Sequence, residues 1–154
     1  MNFCCIKAHN ERGNMLRILL IEDDNGRVRK IREWLPDDVR LVHAGSAGRA
    51  IGILQRDRDA YAGIMLDHDL QGQIATEMDF FLSGSNVVKT IIANVPSETP
   101  ILVHSMNPDD APKMVQALTK AGFSVTRTPM VIMTRTGLNE WLQEVREVWE
   151  ERDF

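Results

Sequence analysis

Cysteine is nearly missing from this chain. Its 154 residues include two, Cys4 and Cys5, and adjacent cysteines rarely close a disulfide without strain. That excludes a disulfide framework and leads us to expect a reducing, cytoplasmic setting. Basic residues are also short. With 18 Lys and Arg against 22 Asp and Glu, the net charge is -4, and no surplus remains to neutralise nucleic-acid phosphates. Generic nucleic-acid binding is therefore not expected. Long apolar runs are absent too: no stretch approaches the roughly 20 apolar residues that a membrane helix needs. The first residues carry Lys7, His9, Glu11 and Arg12 where a secretory leader would be apolar. No repeat or low-complexity segment occurs.

What is present is enough apolar material, 44% of the chain, for one ordinary core. Residues 1–14 read as an N-terminal tail and residues 15–154 as a single domain. Cys4, Cys5 and His9 have no second ligand pair at zinc spacing, so the tail reading is preferred to a zinc site. From Leu16 onward, short apolar runs alternate with helical patterns. Arg17-Ile18-Leu19-Leu20-Ile21 reads as a strand buried on both faces. Asn25 to Leu35 follows as a helix stopped by Pro36. Val39 to Val42 reads as a second strand with His43 an ordinary strand-end residue, and Ser46 as the N-cap of the next helix. Gly63 to Leu66 and Ile101 to Val103 read as the third and fourth strands, and Phe123 to Thr126 as the fifth. Helices are expected over 86–94, 109–121 with Gly122 as cap, and 138–149. The polar segment Gln71 to Ser83, with Phe80-Phe81-Leu82 inside it, is long for a strand–helix connection. It is expected either to act as a lid over the site or to fill a satellite of the core.

Five strands alternating with five helices predict an α/β fold: a flavodoxin-like (βα)5 three-layer sandwich with a five-stranded parallel sheet. Ligands of such sheets bind beyond the carboxyl ends of the strands. Those ends are Glu22-Asp23-Asp24, Asp67-His68-Asp69 and His104-Ser105-Met106-Asn107. If strands one, three and four lie side by side, two acidic clusters and a His-Ser pair converge. Crowded carboxylates repel one another, and a hard divalent cation such as Mg²⁺ (or Mn²⁺) relieves the repulsion while recruiting a phosphate oxygen.

Leu19-Leu20-Ile21-Glu22-Asp23-Asp24 resembles the opening of a response-regulator receiver domain, and Met65-Leu66-Asp67 resembles the strand that carries the phosphoacceptor aspartate. The resemblance runs over nearly the whole chain after Met15. It implies a metal set of Glu22, Asp23, Asp67 and Asp69, the last through its backbone carbonyl, with Asp67 as nucleophile. The sequence departs from ordinary receivers where Thr128, not a lysine, precedes Pro129, which leaves Arg127 as the nearest cation. Asn107, Arg127 and Thr128 are the expected phosphate or ligand contacts.

Leu66-Asp67-His68-Asp69-Leu70 together with His104-Ser105-Met106-Asn107-Pro108 resembles the variant grouped as cyclic-phosphate-processing receiver domains. That resemblance implies action on a cyclic phosphate ester, with Asp67, His68, His104 and Ser105 as catalytic candidates. Imidazole titrates near neutrality and suits acid–base work on such an ester. His68 directly follows Asp67, so strand alternation would turn it away from its neighbour, and His104 is the stronger candidate. Two functions stay open: a metal-dependent phosphoesterase, or a stand-alone response-regulator receiver in a phosphorelay, phosphorylated on Asp67 and acting through protein contacts. The partner is accordingly a phosphate-containing small molecule or a signalling protein. The sequence does not set the oligomeric state.

Overall fold

In the computed structural model, residues 15–70 and 83–152 are described. The tail at 1–14 and most of the expected lid, Gln71 to Leu82, lie outside them. The first strand, β1 (Leu16–Ile21), leads into α1 (Asn25–Trp34), β2 (Val39–Ala44) and α2 (Ala47–Arg56). Then follow β3 (Gly63–Leu66), α3 (Gly84–Asn94), β4 (Ile101–Val103), α4 (Asp110–Lys120), β5 (Val125–Arg127) and α5 (Arg135–Glu151). All five strands are parallel, in the order β2-β1-β3-β4-β5. This is the flavodoxin-like order, with the direction of winding changing between β1 and β3.

Alternation along each strand divides the core into two layers. Leu19, Ile21, Ile64, Leu66, Ile101 and Val103 pack on one face with α2, α3 and α4. Leu16, Ile18, Leu20, Met65 and Leu102 pack on the other with α1 and α5. Both faces of the central strands are covered, which is why their sequences read as unbroken apolar runs. No described helix is long and apolar enough to cross a membrane.

Capping chemistry sets the boundaries that periodicity leaves loose. Asp24 Oδ1 accepts the Arg27 N–H at 2.9 Å and starts α1. Ser46 Oγ accepts the Arg49 N–H at 3.2 Å and starts α2, as expected. Ser83 and Asn86 form a capping box, so α3 begins at Gly84, two residues before the expected start at Asn86. Thr134 likewise caps α5, which begins three residues earlier than its first inward apolar residue. The fifth strand is Val125–Arg127 and not 123–126, because Phe123 is consumed in ending α4. Gly122 adopts φ +97°, its N–H bonds Thr119 O, and the Phe123 N–H bonds Leu118 O. This is a Schellman ending, with Phe123 and Leu118 both buried in the core. A short 3₁₀ turn, Met130–Ile132, precedes α5 and carries no clear periodic signal.

Candidate functional site

Strand register builds the site. Ile21 pairs with Leu66, and Leu66 with Val103. Glu22, Asp67 and His104 therefore occupy equivalent positions, one residue past the last pair. Their backbones continue the ladder: the Asp67 N–H donates to Ile21 O at 3.0 Å and the His104 N–H to Leu66 O at 3.1 Å. Thr128 takes the next place in this row, donating its N–H to Val103 O at 3.0 Å.

Side chains at one register level of a parallel sheet leave on the same side. Glu22, Asp67 and His104 are accordingly buried together, and one donor atom from each lies within 4.8 Å of the other two. His104 Nε2 is 3.2 Å from Glu22 Oε1. The Arg27 guanidinium clasps the same carboxylate, Nε donating to Oε1 at 2.7 Å and Nη2 to Oε2 at 3.2 Å. Oε2 also accepts the N–H groups of Asp23 and Asp24 at 2.9 and 3.3 Å. Nη2 of Arg27 lies 3.6 Å from both Asp23 Oδ1 and Asp67 Oδ2. One guanidinium thus faces three carboxylates.

The two buried acids differ sharply. For Glu22, burial opposes ionisation, but the hydrogen bonds and positive charge of His104 and Arg27 outweigh it and hold the carboxyl at about 2. For Asp67, burial and the adjacent Glu22 charge push the carboxyl up to about 6, against a smaller opposing pull from His104. An ionised Glu22 only accepts hydrogen bonds, so the contact places a proton on His104 Nε2. Its Nδ1 is buried with no partner among the described residues.

The remaining sequence candidates are distributed around this core. Asp23 joins through Arg27. The Asp69 carboxylate is 70% exposed and sits 3.1 Å from His68 Nδ1, which is also 3.5 Å from Asp110 Oδ2. His68 thus links the end of β3 to the start of α4, and its N–H donates to Asp67 Oδ1 at 2.8 Å. Ser105 is buried, and its Oγ accepts the Asn107 N–H at 3.1 Å. Asn107 organises the start of α4: its Oδ1 accepts the N–H groups of Asp109 and Asp110, and its Nδ2 donates to Asp110. Arg127 is exposed and lines an open hollow with Pro112, Val115, Gln116, Thr119 and Lys120, on the α4 face of the sheet.

Two residues escape the sequence reading. Arg27 sits five residues after Glu22, where the first turn of α1 folds back over the strand end; that spacing is the available signal. His43, read as an ordinary strand-end residue, lies 2.6 Å through Nε2 from the Glu22 backbone carbonyl. A carbonyl only accepts, so His43 donates from Nε2 and pins Glu22 in place. Nothing in the local sequence around His43 marks this, because the contact depends on β2 lying beside β1.

A parallel sheet in this order with a buried acidic cluster at its switch edge defines a receiver-type α/β domain. The sequence model of the Cyclic-phosphate processing Receiver domain matches residues 17–120. The chain belongs to that family. Among solved structures it is similar to a response regulator receiver domain protein from Clostridium thermocellum, with a TM-score of 0.66, 17% identity, and coverage of 88% of this chain and 97% of that one. It is also similar to the receiver domain of a sensor histidine kinase from Pseudomonas aeruginosa PAO1, solved with a magnesium ion coordinated in the active site cleft. There the TM-score is 0.63 and the identity 19%, over 85% of this chain and 98% of that one. The non-phosphorylated HemR receiver domain from Leptospira biflexa gives 0.61 and 21%, over 90% and 98%. No curated protein matches the chain.

Proposed function

We propose that this receiver domain performs divalent-metal-assisted chemistry on a small phosphate ester of the cyclic phosphodiester class, as a cytoplasmic signalling component. One observation carries the reading: two buried carboxylates and an imidazole, Glu22, Asp67 and His104, have donor atoms within 4.8 Å of one another at the strand ends. The donor set fits Mg²⁺ or Mn²⁺, which take oxygen ligands and readily share a phosphate oxygen. Glu22, Asp23 and Asp67 are the residues that would hold the ion. It would supply charge neutralisation and polarise a bound phosphoryl group.

His104 fits the proton carrier better than the metal ligand. A ligating imidazole almost always donates its second ring N–H to a fixed partner, and His104 Nδ1 has none among the described residues. As the imidazolium, His104 would pass its Nε2 proton, held on Glu22 Oε1, to the leaving oxygen as water attacks the phosphorus and the cyclic ester opens, and would return to neutral imidazole. His68 pairs with Asp69 and Asp110 beside the cluster. The test is hydrolysis of cyclic mononucleotides and RNA 2′,3′-cyclic ends with Mg²⁺ or Mn²⁺. His104→Ala is expected to lower turnover about 10²–10⁴-fold with the fold intact. Wild-type and variant proteins equally inert across that screen would overturn the reading.

A second reading, phosphorylation of Asp67 with output through protein contacts, is favoured by the state of its carboxylate. Oδ1 is committed to the His68 N–H, while Oδ2 has the 3.6 Å approach of Arg27. Tight beryllofluoride binding with Mg²⁺ and a rearranged segment after β4 would support it. Weak labelling is expected, because Thr128 brings no charge to the row.

A further inference from the structure

We propose that Arg27 is the anion-positioning residue of this pocket: it holds the carboxylates together while no ion is bound, and it turns its hydrogen bonds to a phosphoryl oxygen once a divalent ion takes them over. The assignment rests on the phosphoryl-handling reading above and names the protein's own contact to the substrate's charge.

The contacts of Arg27 support both halves. Among the described residues its guanidinium is the cation that reaches the cluster, making two hydrogen bonds to Glu22 and lying 3.6 Å from Asp23 and Asp67. Arg127, the nearest cation to Thr128 in the sequence, lines the hollow beside α4. Arg27 is 30% exposed at its side chain, whereas Glu22 beneath it is fully buried. It therefore sits between the buried acids and solvent, where an arriving ligand must pass. Nε and Nη2 are the engaged nitrogens among the described residues, which leaves Nη1 available. A guanidinium offers five N–H donors in a planar fork that matches two phosphate oxygens.

Bond counting points to the exchange. Both oxygens of Glu22 are already saturated, by Arg27, His104 and the N–H groups of Asp23 and Asp24. An ion cannot ligate Glu22 until one of these donors yields. The N–H groups are fixed by the backbone at the start of α1 and His104 is buried, so the long, partly exposed side chain of Arg27 is the one that can move. With a divalent ion on the three carboxylates, the released guanidinium is the charge that receives a phosphate.

The consequence is a pair of effects of opposite sign. Mn²⁺ binding to the full chain would be followed by titration calorimetry and electron paramagnetic resonance. Inorganic phosphate binding to the Mn²⁺-loaded protein would be followed by calorimetry. Arg27→Met is expected to bind Mn²⁺ severalfold more tightly than wild type and phosphate at least tenfold more weakly. Arg27→Lys, which keeps the charge without the fork, should fall between, and it serves as the decisive variant if Arg27→Met does not fold. Arg127→Met should leave both within twofold. Phosphate affinity within twofold of wild type in the Arg27 variants would overturn the assignment while the metal pocket stands. Wild-type protein that takes Mn²⁺ but not phosphate would overturn it as well. Wild-type protein that takes neither would overturn the phosphoryl-site reading, and this assignment with it.

Discussion

Replacing Asp67 with asparagine should stabilise the metal-free protein at neutral and alkaline pH. Asp67 is pushed up to about 6 from an ordinary value of 3.8, by burial first and by the Glu22 charge next. Because the folded value lies above the unfolded one, the carboxyl favours the folded chain only while protonated. Its contribution is fully present below about pH 3.8 and is lost as pH rises through about 6. A rise of about two units at about 1.4 kcal/mol per unit makes the ionised group a burden of about 3 kcal/mol above that range. Asparagine is close in shape, keeps an oxygen for the His68 N–H, and carries no charge to repel Glu22. Asp67→Asn should therefore gain about 1–3 kcal/mol at pH 8 in EDTA, or roughly 3–10 °C in melting midpoint for a domain of this size. Near pH 4 the gain should shrink below about 1 kcal/mol. Adding Mn²⁺ at pH 8 should raise the wild-type midpoint and leave the variant nearly unmoved, since the ion removes the same repulsion that the substitution does. Calorimetry at the two pH values, with and without the ion, measures all of these differences. A variant no more stable than wild type at pH 8 in EDTA would refute the claim that burial and the Glu22 charge together strain an ionised Asp67.

Three further outcomes follow from the same contacts. A methyl group at Gly63 would lie 2.9 Å from Trp141 Cη2 and 3.0 Å from Val145 Cγ2, so Gly63→Ala should destabilise by about 1–3 kcal/mol in urea unfolding; an unchanged midpoint would mean that α5 shifts freely over β3. His43→Ala removes the donor on the Glu22 carbonyl and should weaken Mn²⁺ binding about 10-fold by calorimetry, with a circular dichroism spectrum like that of wild type; equal affinity would show that β2 does not help to position Glu22. Arg146 holds the carboxyl of half-exposed Asp38 below its usual range by hydrogen bonding, partly opposed by burial, so Asp38→Asn should lose at most about 1 kcal/mol, measured by urea unfolding at neutral pH. That difference is present above the usual carboxylate range and disappears as pH falls through the depressed value; a gap that persists in acid would assign it to packing instead.

The sheet was legible because its central strands are buried on both faces. Ile18 to Ile21 and Ile64 to Leu66 are apolar throughout, so no alternation is needed to find them. Their order could be inferred from handedness and from the acids that stop them. Helix starts were less legible. Ser83 and Thr134 are polar caps lying outside the apolar pattern, and periodicity begins only where a helix first meets the core. At the site, Glu22, Asp67 and His104 could be nominated from strand ends alone. Arg27 and His43 could not, since each acts across elements: one folds back from a helix turn, the other reaches over from β2. The disposition of Asp69, which pairs with His68, depends on α4 supplying Asp110 nearby.

Register explains why neighbouring residues of each strand-end motif meet different partners. Glu22, Asp67 and His104 stand one residue beyond the paired Ile21, Leu66 and Val103, and they gather in the interior. Asp23, His68 and Ser105 stand one residue further, where alternation turns the chain the other way. There the same residue types do different work: the His68 N–H anchors Asp67, and Ser105 accepts from the turn that starts α4. A slip of one residue between β1 and β3 would exchange the two rows and bring Ile21 or Asp23 opposite Asp67. The apolar runs forbid that slip, because it would turn Leu19 and Ile21 from the α2–α4 layer to the α1–α5 layer. The burial that stabilises the sheet thus also fixes which carboxylates meet. The three strands deliver two acids and one imidazole to a single level, with the Arg27 guanidinium set against both acids.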